Sequence, residues 1–127
     1  MSRDANELRV FQLAHDLALR VYQVTKRLPV EERFGLQAQI RRAATSVPTN
    51  IIEGCGRHSE RDFARFLHIA LASAEEARYL LRLSRETEMM FGEDVDAIYE
   101  NYGDLIRQLA AFIRTIDDRL ETEALKR

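Results

Sequence analysis

An enzymatic activity would show first in the spacing of histidine, cysteine and carboxylates. The chain has three histidines, His15, His58 and His68, and a single cysteine, Cys55. A di-iron centre in a helix bundle needs inward glutamates and a Glu-x-x-His pair on each of two helices, so that carboxylate and imidazole share a face. The residues three before the histidines are Gln12, Cys55 and Arg65, which excludes that centre. Cys55 and His58 have the spacing of half a zinc site, but no second pair completes four ligands. No phosphate-cradling glycine loop and no Gly-x-Ser-x-Gly turn occurs. His15 is expected to be a partly buried, hydrogen-bonded side chain, and His68 to face a neighbouring helix or solvent. The expectation is no enzyme, no cofactor, no metal and no small-molecule substrate.

Two other groups of residues could carry binding. Arg33, Arg41, Arg42, Arg57, Arg61 and Arg65 concentrate positive charge in mid-chain, and Arg61 and Arg65 share a helical face through their i,i+4 spacing. Arg41, Arg42, Arg57, Arg61 and Arg65 are therefore candidate contacts to RNA or DNA phosphates. The competing reading pairs these arginines with acids such as Glu53, Glu60 and the carboxylates of the last helix. The second group is an apolar surplus. Leu36, Ile40, Val47 and Ile51 fill one stripe, and Ile52 and Ala38 extend apolar character around the same helix. A helix apolar on more than one side is covered on more than one side, and a second subunit is the expected cover. Candidate interface residues are Leu36, Ile40, Val47, Asn50, Ile51, Ile52 and Glu53. Asn50 either fixes register in that interface or satisfies a carbonyl freed by Pro48.

The elements that must position these residues are helices. A chain of 127 residues with 46% hydrophobic and 31% charged residues suits one domain with its own core. Leu, Ala, Glu and Arg are abundant, and Gly and Pro are scarce. The net charge of −2 provides no global pull toward nucleic acid. One cysteine, no basic-then-apolar leader and no run of apolar residues long enough to span a bilayer point to the cytoplasm and away from a membrane.

Periodicity predicts four helices, at about 5–28, 35–54, 59–90 and 94–122. The first carries the stripe Leu8, Phe11, Ala14, Ala18, Val21, Thr25 and Leu28 and stops before Pro29. In the second, Pro48 removes a backbone donor at a cost of about 3 kcal/mol in an ordinary helix interior. Either that helix ends near Val47, or it continues with a kink and frees the carbonyl of Ala44. The ladder persists to Ile51, which favours the kink. Gly54 and Gly56 are expected to end it in the left-handed conformation. Ser59 reads as the N-cap of the third helix, whose middle (Ala70, Ala72, Ser73, Ala74, Ala77) is built of small residues suited to close approach. The fourth has the stripe Val95, Ile98, Tyr102, Leu105, Leu109, Phe112, Ile116 and Leu120, with a frayed tail from Glu123. Four helices on short connections make an all-α, antiparallel up-down-up-down four-helix bundle.

The middle of the chain also carries a resemblance. Arg33-Phe34-Gly35-Leu36, Gln39-Ile40-Arg41-Arg42-Ala43-Ala44, Ser46-Val47-Pro48, Asn50-Ile51 and Glu53-Gly54 are followed by Arg57, Phe63, Arg65-Phe66-Leu67 and Ile69-Ala70. Together these segments resemble the four-helix bundle proteins encoded in intervening sequences of bacterial 23S ribosomal RNA genes, over Phe11 to about Ile116. Ile52 stands where that family has a small residue, and Cys55 where a tyrosine is common. The resemblance implies a small cytosolic bundle that assembles as a ring-like homo-oligomer, with a pentamer expected. It marks Arg41, Arg42, Asn50, Glu53 and Arg57 as interface or ligand positions and marks no catalytic residue. A related branch, the accessory proteins of diversity-generating retroelements, binds a reverse transcriptase and nucleic acid through a basic ring surface; a pI of about 5.9 sets this chain apart from it. The leading expectation is a non-enzymatic homo-oligomeric interaction protein, and the alternative is an RNA- or DNA-binding accessory protein that uses the mid-chain arginines.

Overall fold

The computed structural model describes residues 3–126. Four helices follow one another: α1 (Arg9–Val24), α2 (Leu36–Cys55), α3 (Glu60–Glu86) and α4 (Glu93–Leu125). Short 3-10 turns lie at Ala5–Glu7, Thr25–Arg27 and Val30–Glu32. α2 packs most extensively on α3, α3 on α4, and α1 on both α2 and α4, while the backbones of the diagonal pairs stay apart. That is the expected up-down-up-down bundle, with one continuous core.

Several boundaries differ from the periodic pattern. The first helix is shorter than 5–28 because Leu8 is extended and Thr25 tightens the chain into a 3-10 turn. Thr25 is buried, and its hydroxyl donates to the carbonyl of Val21 at 2.7 Å. Leu28 is then extended, as a residue before proline should be. The buried stripe of α1 is Val10, Ala14, Leu17, Ala18, Val21 and Val24. Ala14, Ala18, Val21, Thr25 and Leu28 of the expected stripe are buried, whereas Leu8 and Phe11 are only half-buried.

α2 runs unbroken through Pro48, which is itself buried. Glu32 caps its start, its carboxylate accepting from the Leu36 amide at 3.0 Å. Neither glycine near its end is left-handed: Gly56 has φ −82°, and Gly54 is a buried helical residue. Gly54 is explained by close approach instead. A Cβ there would stand 3.0 Å from Phe63 Cδ1, 3.0 Å from Phe66 Cβ and 3.3 Å from the Phe63 carbonyl oxygen. Further along the same seam, Ala70, Ala74 and Ala77 are fully buried. These three serve the close packing expected of the small-residue middle of α3, whereas Ser73 is half-buried and Ala72 faces solvent.

Ser59 caps α3 as expected, accepting from the Asp62 amide at 3.0 Å. The helix stops at Glu86 rather than near Met90, because the chain reverses through a Schellman turn. Glu88 takes φ 60°, its amide donates to the Arg85 carbonyl at 3.0 Å, and the Met89 amide donates to the Ser84 carbonyl at 3.0 Å. Gly92, at φ 135°, re-aims the chain into α4. α4 is longer than expected and stays helical through Leu125, so the segment from Glu123 is not frayed up to that point. The two connections at this end are tied by Arg27 and Asp94, 2.9 Å apart. The opposite end is tied by the Arg3 amide donating to the Cys55 carbonyl at 3.2 Å.

Candidate functional site

The apolar ladder of α2 belongs to the protomer's own core. Ile40, Val47 and Ile51 have no exposed surface and Leu36 retains 7%. α2 lies between α1 and α3, which cover this ladder within one chain. This corrects the placing of Leu36, Ile40, Val47 and Ile51 among the interface residues, whereas the surplus itself, Ile52 and Ala38, is exposed and half-buried respectively. Of the candidate interface residues, Ile52 (53% exposed) and Glu53 face outward and Asn50 is half-buried. Asn50 Nδ2 donates to the Ser46 carbonyl at 2.8 Å and lies 3.0 Å from Ser46 Oγ. Ser46 Oγ in turn meets Ser73 Oγ of α3 at 2.8 Å. The asparagine thus binds the carbonyl of Ser46, not that of Ala44, and joins a polar link between α2 and α3.

The arginines do not form one patch. Arg41 is structural: Nε donates to Thr25 Oγ1 at 2.9 Å, Nη2 donates to the Tyr22 carbonyl at 3.1 Å, and the guanidinium lies 4.5 Å from the centre of the Tyr22 ring. It closes the carbonyl end of α1, where a cation is favoured. Arg42 is exposed and lines a groove of about 510 Å³ between α2 and α3, with Ser46, Asn50, Ser73 and Glu76. Arg57 follows fifteen residues later, about 22 Å along a helical rise. At that far corner Arg57, Arg61 and Arg65 do come together. Phe66 lies between two of them, with guanidinium carbons 4.6 Å (Arg57) and 4.5 Å (Arg65) from its ring centre. Arg57 also pairs with Glu53 at 3.4 Å, and Arg65 with Asp62 at 3.2 Å. Arg61 is exposed and, with Arg65, His68, Asp117 and Leu120, lines a groove of about 460 Å³ between α3 and α4.

The histidines and the cysteine sit apart. His15 is exposed rather than partly buried, and its ring stacks on Phe11 with centroids 6.0 Å apart and planes 1° apart. His68 lies on the surface, 3.9 Å from Asp117 of α4. Cys55 is buried and burial pushes its thiol up, with Arg3 only partly opposing the shift. His58 is exposed in the turn beyond it. Among the described residues no group of three or more His, Cys, Asp or Glu side chains converges as metal ligands. Nor is any described helix long and apolar enough to cross a membrane.

Two clusters had no signal in the sequence. Arg3 and Arg119 both bridge to Glu60, and Arg3 also covers the Phe63 ring at 4.0 Å. On the α3–α4 face, Arg78 and Arg85 lie 4.0 and 4.5 Å from the Tyr99 ring centre, and Arg78 Nε donates to the Tyr99 carbonyl at 3.1 Å. Their partners are far apart in the chain, where helical periodicity carries no information.

This framework has known counterparts. A family model described as 23S rRNA-intervening sequence protein matches residues 6–111. The chain belongs to this family. The bundle is also similar to the structure of a protein with unknown function from the S23 ribosomal protein family of Bacteroides thetaiotaomicron. The TM-score is 0.75 at 31% sequence identity, over 82% of this chain and 97% of that one. No curated protein matches. Within the Arg33–Gly54 motif, Leu36, Ile40, Ala43, Ala44, Val47, Pro48, Ile51 and Gly54 are buried in the core, whereas Arg33, Phe34, Gln39, Arg42 and Glu53 are exposed.

Proposed function

We propose that this 23S rRNA-intervening sequence protein is a non-enzymatic, cytoplasmic interaction protein that works as a ring-like homo-oligomer. The observation that carries the proposal is the set of large apolar side chains that one chain leaves exposed. Phe34 is 89% exposed, Val30 68%, Phe91 61%, Leu19 55% and Ile52 53%. Solvation of such side chains is unfavourable, and contiguous patches of them mark association sites. Five subunits is the number the family resemblance implies. Light scattering of the purified protein, with absorbance at 260 and 280 nm, tests it. A protein-only particle of about five times 14.7 kDa is expected, and a single-chain mass across the accessible concentration range would overturn the proposal.

A second reading rests on the Arg57–Phe66–Arg65 stack with Arg61 beside it. Arginines fixed on an aromatic face are an arrangement that RNA or DNA bases and phosphates can use. The nearby Glu53 and Asp62 weaken the field there. Replacing Arg57, Arg61 and Arg65 together should then weaken binding to single-stranded RNA and flatten its salt dependence. Unchanged binding would eliminate the corner.

A further inference from the structure

Residues 3–8 precede α1 and cross the end of the bundle where α2 gives way to α3. One side chain holds them there. The Arg3 amide donates to the carbonyl of Cys55, the last residue of α2, at 3.2 Å. That carbonyl is one of those a helix end leaves without an internal partner. The Arg3 guanidinium pairs with Glu60 in the first turn of α3 and lies 4.0 Å from the centre of the Phe63 ring. Glu60 also takes Arg119 of α4, at 3.0 Å. What Arg3 covers belongs to the core: Phe63 has no exposed surface and Cys55 retains 3%.

Little else holds the segment down. Its 3-10 turn, Ala5–Glu7, buries no residue. Its other hydrogen bonds, from the Asn6 amide to Asp4 and from the Gln12 side chain to the Asn6 carbonyl, are exposed. Between it and the end of α2 lies a hollow of about 310 Å³ bordered by Phe11, Ile52 and Cys55, so the segment spans a gap instead of filling it. The ties made by Arg3 are each of a weak kind: an ion pair with side chains 25% and 29% exposed, a cation over a ring, and one backbone hydrogen bond. A stretch with so few buried apolar contacts opens far more readily than the whole fold. The core beneath it is the reverse case, with Phe63 packed edge-on against Phe112 of α4 at 5.5 Å.

We propose that residues 3–8 form a strap, latched by Arg3, that opens and closes over Cys55 and the Phe63 ring while the four helices stay folded. Leu8, extended at φ −87° and ψ 129°, is the joint between strap and α1, so the strap swings without unwinding a helix. Ionic strength is its control, because salt screens the attraction between Arg3 and Glu60. Release leaves no carboxylate stranded, since Glu60 keeps Arg119. The Cys55 thiol feels the charges of both Arg3 and Asp4, which places it beside the strap. In the open state the thiol, the Phe63 ring and the freed carbonyl at the end of α2 meet solvent together.

Cys55 is the only cysteine of the chain, so its rate of alkylation by iodoacetamide, a neutral reagent, reads the opening. The full-length parent, Arg3→Ala, Glu60→Gln and Arg119→Ala are labelled at one pH, with helical circular dichroism as the check on folding. Loss of the Arg3 charge alone would slow labelling, because that charge favours the thiolate. Release of the strap speeds it, so the two effects differ in sign. The expected result is labelling about tenfold faster in Arg3→Ala, and faster in Glu60→Gln as well. The parent, but not Arg3→Ala, should also label faster as sodium chloride rises from about 0.05 to 1 M. Arg119→Ala leaves the latch in place and should label no faster than the parent. Labelling unchanged or slowed in folded Arg3→Ala would overturn the strap. An Arg119→Ala rate equal to that of Arg3→Ala would overturn it too, since the whole corner would then be loosening. A parent rate indifferent to salt, a result that needs no substitution, would do the same.

Discussion

Tyr102 has no exposed surface, and its hydroxyl finds no hydrogen-bond partner among the described residues. Burial pushes its ionisation far above the ordinary phenol range, with the charge of Arg20 opposing only partly. An orphaned buried donor costs about 1–3 kcal/mol. Tyr102→Phe keeps the ring and removes the orphan, so urea unfolding should show a gain of about 1 kcal/mol; a loss of that size would mean the hydroxyl is satisfied by a buried water. At this scale the sequence was informative where a residue acts on its own neighbours. Ser59 reads as a cap because its partner, Asp62, is three residues on. Arg41 reads as a phosphate ligand because its true partners, Thr25 and the Tyr22 carbonyl, lie sixteen and nineteen residues earlier, at the end of α1 and in the turn after it. Asn50 was legible as a residue needing a partner and found it four residues back at Ser46, but the onward link from Ser46 to Ser73 of α3 was one that no spacing could supply.

Among the elements, two buried helical glycines make opposite cases. Glycine costs a helix interior about 1 kcal/mol relative to alanine, so each needs a reason. At Gly54 an added Cβ meets Phe63 and Phe66 at 3.0 Å, and the Phe63 carbonyl behind them belongs to the α3 backbone. At Gly103 it meets the guanidinium of Arg78 at 3.1 Å, the far end of a flexible side chain. Gly54→Ala should therefore lower stability by about 1–3 kcal/mol through overpacking, whereas Gly103→Ala should change it by less than about 1 kcal/mol because improved helix propensity offsets the displaced arginine. Equal losses in thermal unfolding would refute the distinction. The helices themselves were legible because each has a 3.6-residue apolar period. Their ends were less so, since the Schellman turn at Glu88 uses a left-handed glutamate where glycine is the usual signal. Apolar content on α2 was visible too, but periodicity cannot say whether the second cover is another helix of the same chain or another subunit.

At the scale of the molecule, up-down-up-down connectivity places every sequence neighbour side by side, and only the α1–α4 pairing joins the two ends of the chain. Arg20 Nη1 reaches Asn101 Oδ1 there at 2.9 Å, across a separation of 81 residues. Such an arrangement is mostly local and favours rapid folding. The pairing that must close the longest stretch of chain gains least from early formation, because its loop entropy is lost before its contacts compensate. Asn101→Ala should therefore leave the refolding rate near that of the parent and speed unfolding about fivefold, for a loss of about 1 kcal/mol. A slowed refolding limb in stopped-flow measurements would place this contact in the folding nucleus instead. The same topology has a consequence during synthesis: α1, α2 and α3 can assemble as the chain emerges, while the groove for α4 stays open until α4 itself has left the ribosome. For that interval the alanines and leucines that α4 will cover are accessible to any other nascent copy nearby.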